Sequence, residues 1–188
     1  PSETALMPGK GHLQLTGKLG DVIKESATIA LSWAKTHAYE LGMTKEQDTS
    51  LLDHRDVHLH MPEGAIGKDG PSAGVAFAVS LISLLLNRPL PTTLAMTGEV
   101  SLRGMVLPVG GLKEKLLAAH RAGVTTLILP AQNRPSVEAD VPKTVLNDLH
   151  VHYVTNVWAA LEIAFGPGPW SEQARVWNAN ESPEAASQ

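Results

Sequence analysis

Two short stretches hold the residues best suited to nucleophilic chemistry. In KDGPSAG, residues 68–74, Ser72 stands among glycine, proline and alanine where a helix is predicted to begin. In GGLKEKLLAAHRAG, residues 110–123, Lys115 falls within a second predicted helix. A serine hydroxyl is a weak nucleophile until a base takes its proton, and a lysine amine shielded from water can be that base. Hydrolysis by a Ser–Lys pair is the first chemistry to consider. A helix start also offers unpaired N–H groups and a partial positive charge, so the backbone around Gly70, Pro71 and Ala73 could hold a developing oxyanion.

Each residue also has a plainer reading. Serines are common in the first turn of helices, and a lysine can lay its stem on apolar surface with its amine in water. A helical wheel at about 100° per residue puts Leu112, Leu116 and Ala119 on one arc and Lys115 on its flank, with Glu114 and Arg121 opposite. That flank is where an amine loses water, which disfavours its charged form.

Other patterns are weaker. GPSAG, residues 70–74, fits the G-x-S-x-G nucleophile elbow, but that elbow must follow a buried strand directly, and Gly67, Lys68 and Asp69 precede it here. His58 and His60 form one H-x-H pair and His150 and His152 another. Such pairs can ligate a metal, yet they also fit the wet face of a half-exposed strand, and no metal is expected. GHLQLTGK, residues 11–18, has five residues between its glycines where the phosphate loop has four, so no ATP site is expected there.

The elements needed to position these groups can be read in outline. Residues 12–16, 56–61, 124–129 and 150–154 read as strands, and residues 94–109 as short β runs broken by glycine. Residues 21–41 read as an amphipathic helix stopped by Gly42, residues 71–87 as a helix apolar nearly all round, and residues 111–122 as a helix closed by Gly123. Pro71 suits an early helical position. Asn156 is placed to cap a last helix over 157–165. Strands and helices intermix, which predicts an α/β (α+β) fold with a mixed sheet. Residues 1–165 are expected to form the domain. Residues 166–188 are expected to be a polar C-terminal extension, in part disordered or a short helix, with Trp170 and Trp177 sharing one face.

Composition narrows the classes. At 188 residues with 43% hydrophobic content, one domain with a real core is expected, and 4% aromatics makes that core aliphatic. A net charge of −4 argues against an electrostatic nucleic-acid binder. No cysteine is present, so disulfides and thiolate chemistry are excluded. The longest apolar run, residues 75–86, is too short to span a bilayer. Pro1 is not a natural start, so the chain is expected to be a cut fragment.

Longer segments carry a family resemblance. PEGAIGKDGPSAG at 62–74 and AMTGEVSLRGMVLPVGGLKEKLLAAHRAG at 95–123 closely resemble the nucleophile segment and second signature of the Lon proteolytic domain, in the subfamily where a AAA+ module precedes it. LTGKLGDVIKES at 15–26 resembles the domain's entry, and the likeness runs to about Phe165. The resemblance implies the compact single-domain Lon protease fold, Ser72 as nucleophile and Lys115 as general base. It implies supporting places for Thr97 and Glu99 near the lysine, for Asp69 in the loop, and for His58 and His60 on the strand leading to the site, with no metal and no cofactor in this fragment. ATP and Mg would belong to the absent AAA+ module. Unfolded polypeptides would be the substrates and a homohexamer the assembly, with no membrane or nucleic-acid partner.

Two rivals remain at this point. A small esterase or amidase would use a histidine base such as His150 or His152, and an assembly module would not turn over substrate. An organelle matrix, mitochondrial or peroxisomal, is favoured from overall likeness over bacterial cytoplasm. The end Ala-Ser-Gln is not the S-K-L peroxisomal signal.

Overall fold

The computed structural model describes residues 3–17, 20–47, 51–61 and 73–180. Strands β1 (Glu3–Pro8), β2 (Leu13–Gly17) and β3 (Arg55–Met61) form one sheet in the order β1-β3-β2. β1 runs antiparallel to β3 and β2 parallel to it. Parallel neighbours need a crossover, and helix α1 (Asp21–Thr36) supplies it between β2 and β3. β3 alternates as its sequence suggests: Val57, Leu59 and Met61 are buried, while His58 and His60 are half-buried.

Helix α2 (Gly74–Leu86) follows, apolar on nearly every side, with Val75, Ala78, Val79 and Ile82 fully excluded from water. It stops at Asn87, whose left-handed backbone lets its N–H cap the last carbonyls. Strands β4 (Leu94–Met96), β7 (Thr126–Pro130) and β8 (His150–Val154) make a second, all-parallel sheet in the order β4-β7-β8. Between β4 and β7 lie a small antiparallel pair, β5 (Glu99–Val100) and β6 (Val106–Leu107), and helix α3 (Leu112–Arg121). The mixed directions foreseen for one sheet are thus confined to the first sheet, and the second is uniform.

This second sheet separates two cores, because alternation sends its side chains both ways. Met96, Ile128 and Val154 join the larger core with α1, α2 and α6 (Val157–Phe165). Leu127, Leu129 and the half-buried Ala95 join a smaller one with Leu112 and Leu116 of α3, Val137 of α4 (Arg134–Asp140) and Val141. A sheet apolar on both faces is the expected parallel case.

Several elements depart from the sequence reading. β1 was not anticipated, and neither were α4 and α5 (Lys143–Leu146), which are too short to show a period. α1 ends at Thr36; beyond it the chain continues in turns to Gly42, whose N–H bonds the Tyr39 carbonyl. Asn156 caps α6 as predicted, accepting from the Ala159 amide at 2.9 Å. Helix α7 (Pro169–Asn180) carries Trp170 and Trp177; Trp170 is buried, and its indole N–H donates to the Gly166 carbonyl at 2.8 Å. Arg88 also donates to the Phe165 carbonyl at 2.8 Å and stacks on the Phe165 and Trp170 rings.

Candidate active site

Ser72, with Asp69, Gly70 and Pro71, lies outside the described residues. Both approaches to that segment are described. β3 leads in and ends at Met61, and Ala73 leads out into α2. The first turn of α2 is fixed against the segment joining β4 to β5. The Val75 amide donates to the Gly98 carbonyl at 3.0 Å. A Cβ placed on Gly74 would stand 2.7 Å from the Val100 nitrogen and 2.8 Å from Glu99 Oε1. The second glycine of G-x-S-x-G therefore has its own reason here: the helix backbone touches β5.

Lys115 sits on α3. It is half-buried, whereas Lys113 and Glu114 are exposed and Leu112 and Leu116 are buried. That is the flank position the wheel predicts. α3 begins at Gly111, whose φ of 67° is a left-handed turn into the helix. The chain before it is held by a residue the sequence reading missed. Asn133, itself buried, accepts from the Val109 amide at 3.0 Å and donates to the Val109 carbonyl at 2.8 Å. A buried asparagine satisfied by one residue's two backbone groups fixes that residue in place. Its only sequence signal is a polar residue in a short turn, AQN, after an apolar strand.

The Thr97 amide donates to the Ile128 carbonyl at 3.1 Å, extending the β4–β7 pairing by one residue. Alternation along that pairing assigns Thr97 to the face of Ala95, the side on which α3 packs. Glu99 lies at the start of α2 and accepts from Ser26 Oγ of α1 at 2.9 Å.

His58 and His60 are drawn together by Thr16, whose hydroxyl lies 2.8 Å from His58 Nε2 and 2.9 Å from His60 Nδ1. One hydroxyl has one proton, so at most one ring accepts from it and at least one donates to it. Thr16 is a partner the sequence reading did not name. Among the described residues no cluster of three or more His, Cys, Asp or Glu side chains could hold a metal ion. His150 and His152 are exposed on the edge strand β8. His120 instead pairs with Asp148 at 2.8 Å, tying the end of α3 to the chain before β8.

An α/β domain that feeds a serine segment into a buried helix and carries a half-buried lysine on another helix has the parts a Ser–Lys hydrolase requires. Comparison with known proteins defines the family. Residues 1–166 match the family model of the Lon protease (S16) C-terminal proteolytic domain, and the chain belongs to that family. It is 49% identical over 175 residues to a peroxisomal Lon protease homolog 2 of Spinacia oleracea, covering 93% of this chain and 20% of that protein. It is 52% identical over 159 residues to Lon protease 1 of Sorangium cellulosum, covering 85% of this chain and 19% of the relative. The chain thus spans about a fifth of the length of the curated relatives it matches. The family match ends at residue 166, so α7 is packed onto the domain from beyond it.

Proposed function

We infer that this chain hydrolyses peptide bonds in unfolded polypeptides, with Ser72 as nucleophile and Lys115 as general base. The observation that carries the reading is the family match across the segments that hold both residues. The half-buried setting of Lys115 on the apolar flank of α3 supports it physically. Neutral Lys115 accepts the Ser72 proton as the serine oxygen attacks the carbonyl carbon. The amine then returns the proton to the leaving nitrogen, and water resolves the acyl-enzyme by the same route. Pro71 has no amide hydrogen, so the oxyanion donors fall to its neighbours, with Gly70 and Ala73 the candidates.

Thr97 is assigned to orient the amine, and Asp69 to order the loop before the nucleophile. ATP-driven unfolding belongs to a separate AAA+ module holding ATP and Mg, and a homohexameric ring encloses the sites so that folded proteins are spared. An organelle matrix is the assigned compartment, supported by the naming of plant relatives as peroxisomal, while bacterial relatives match about as well.

Cleavage of a short unstructured fluorogenic peptide tests the reading. Ser72→Ala and Lys115→Ala should each lower turnover by about 10²-fold or more, and a peptidyl boronate should bind the wild type at Ser72. Turnover untouched by Lys115→Ala would return the reaction to a histidine base.

A further inference from the structure

Ser26 is buried on α1, with 3% of its surface exposed, yet it faces β5. Its hydroxyl lies 2.9 Å from Glu99 Oε2 and 3.0 Å from the Val22 carbonyl of its own helix. A single proton cannot serve both fully, and the charged carboxylate is the stronger acceptor. The other carboxylate oxygen of Glu99 lies 3.3 Å from the Val100 amide and 2.8 Å from where a Cβ on Gly74 would stand.

Helix α2 has no side-chain N-cap and no acid in its first turn. Among the described residues, the carboxylate beside its positive end is that of Glu99, brought there by β5. Glu99 is thereby wedged between two helices, with Ser26 as its fixed point on α1. The Val75 to Gly98 bond ties the same turn to the residue before Glu99.

We propose that Ser26 is a positioning residue for the hydrolytic reaction: it holds Glu99 against the first turn of α2 and so sets, through Ala73, the placement of Ser72. The proposal rests on Ser72 being the nucleophile. Ser72 lies two residues before Gly74 in the sequence, which is why a displacement of that first turn is expected to bear on the nucleophile. Such displacements act on kcat, because geometry at the reacting atoms matters more than substrate affinity.

Ser26→Ala, Glu99→Gln and the double variant test it in the 188-residue chain, with Thr28→Ala as control. Thr28 bonds the Lys24 carbonyl of the same helix at 2.8 Å but is exposed. On the fluorogenic peptide, Ser26→Ala should lower kcat about tenfold with KM changed less than about twofold. In the Glu99→Gln background it should add little, because the two act as one unit. Exchange of the Val75 amide should quicken about tenfold in Ser26→Ala and stay unchanged in Thr28→Ala. A wild-type kcat in Ser26→Ala, or full additivity with Glu99→Gln, overturns the proposal. If the wild type neither cleaves the peptide nor binds boronate at Ser72, the hydrolytic reading falls instead. The Val75 exchange then still decides the clamp, since an unchanged rate removes it.

Discussion

The approach to the proposed nucleophile and the approach to the proposed base are built in opposite ways. α2 is apolar almost all round and sunk in the larger core, and its start is fixed by close backbone contact with β5. α3 is amphipathic, buries Leu112 and Leu116, and keeps its other face in water. Its start is left-handed and open, and the chain before it is held by a side-chain clamp from Asn133. The contrast suits the two proposed roles. A nucleophile gains from a rigid mount, whereas a base must change protonation state, and a helix at the core's edge offers a partly dry site without full burial.

The two starts can be told apart by the glycines that form them. Gly74→Ala drives a Cβ into backbone that cannot swing aside, and should destabilise the chain by about 2–3 kcal/mol. Gly110→Ala meets nothing within 4 Å and should stay within about 0.5 kcal/mol of wild type. Urea unfolding checks both, and equal values would erase the distinction between a packed start and an open one.

On the base side, Asn133→Ala should cost about 1–2 kcal/mol, since it strands both the amide and the carbonyl of Val109. Hydrogen exchange at Val109 should quicken while Val75 keeps its protection. A Val75 amide that loosened equally would mean the two approaches are mechanically one.

The smallest effect concerns acid and should touch the larger core alone. His37, just past α1, packs between Trp33 and Trp158, with ring centroids 5.1 Å from each. Burial pushes its pKa below the ordinary 6.5, and Glu40 opposes this only weakly from 3.9 Å, too far for a hydrogen bond. The unfolded chain therefore takes up this proton first. Stability from His37 is present above about pH 6.5 and is lost as pH falls from there through the lower folded value. His37→Phe should flatten that part of the melting temperature profile, measured from pH 7.5 to 5. A slope unchanged by the substitution would assign the acid sensitivity to another group.

Much of the positioning was legible because it is local. The Asn156 cap, the burial of α2 and the alternation of β3 follow from residue type and period, and these need no knowledge of the partner. The wheel placed Lys115 on its flank for the same reason. What escaped was carried by contacts distant in sequence. Thr16 meets His58 and His60, Ser26 meets Glu99, and Asn133 meets Val109, each pairing a small polar residue with a group on another element. None of these polar residues is unusual in its own segment. Residues 166–188 read as a polar extension because polar and small residues dominate the segment, although Trp170 of α7 is buried.

By itself, then, the sequence determined the α/β class, the helix that carries Lys115 and the one that follows the Ser72 segment, and, through its long signature segments, the family. Those properties are written in side-chain volume, period and motif, which act over a few residues at a time. Tertiary structure alone decided that one sheet would be mixed and the other parallel, that Ser26 would meet Glu99 beside the first turn of α2, and that Asn133 would hold the chain leading to α3. Each depends on where two remote backbones come within about 3 Å of a hydrogen bond, and only the packing of both cores sets that distance.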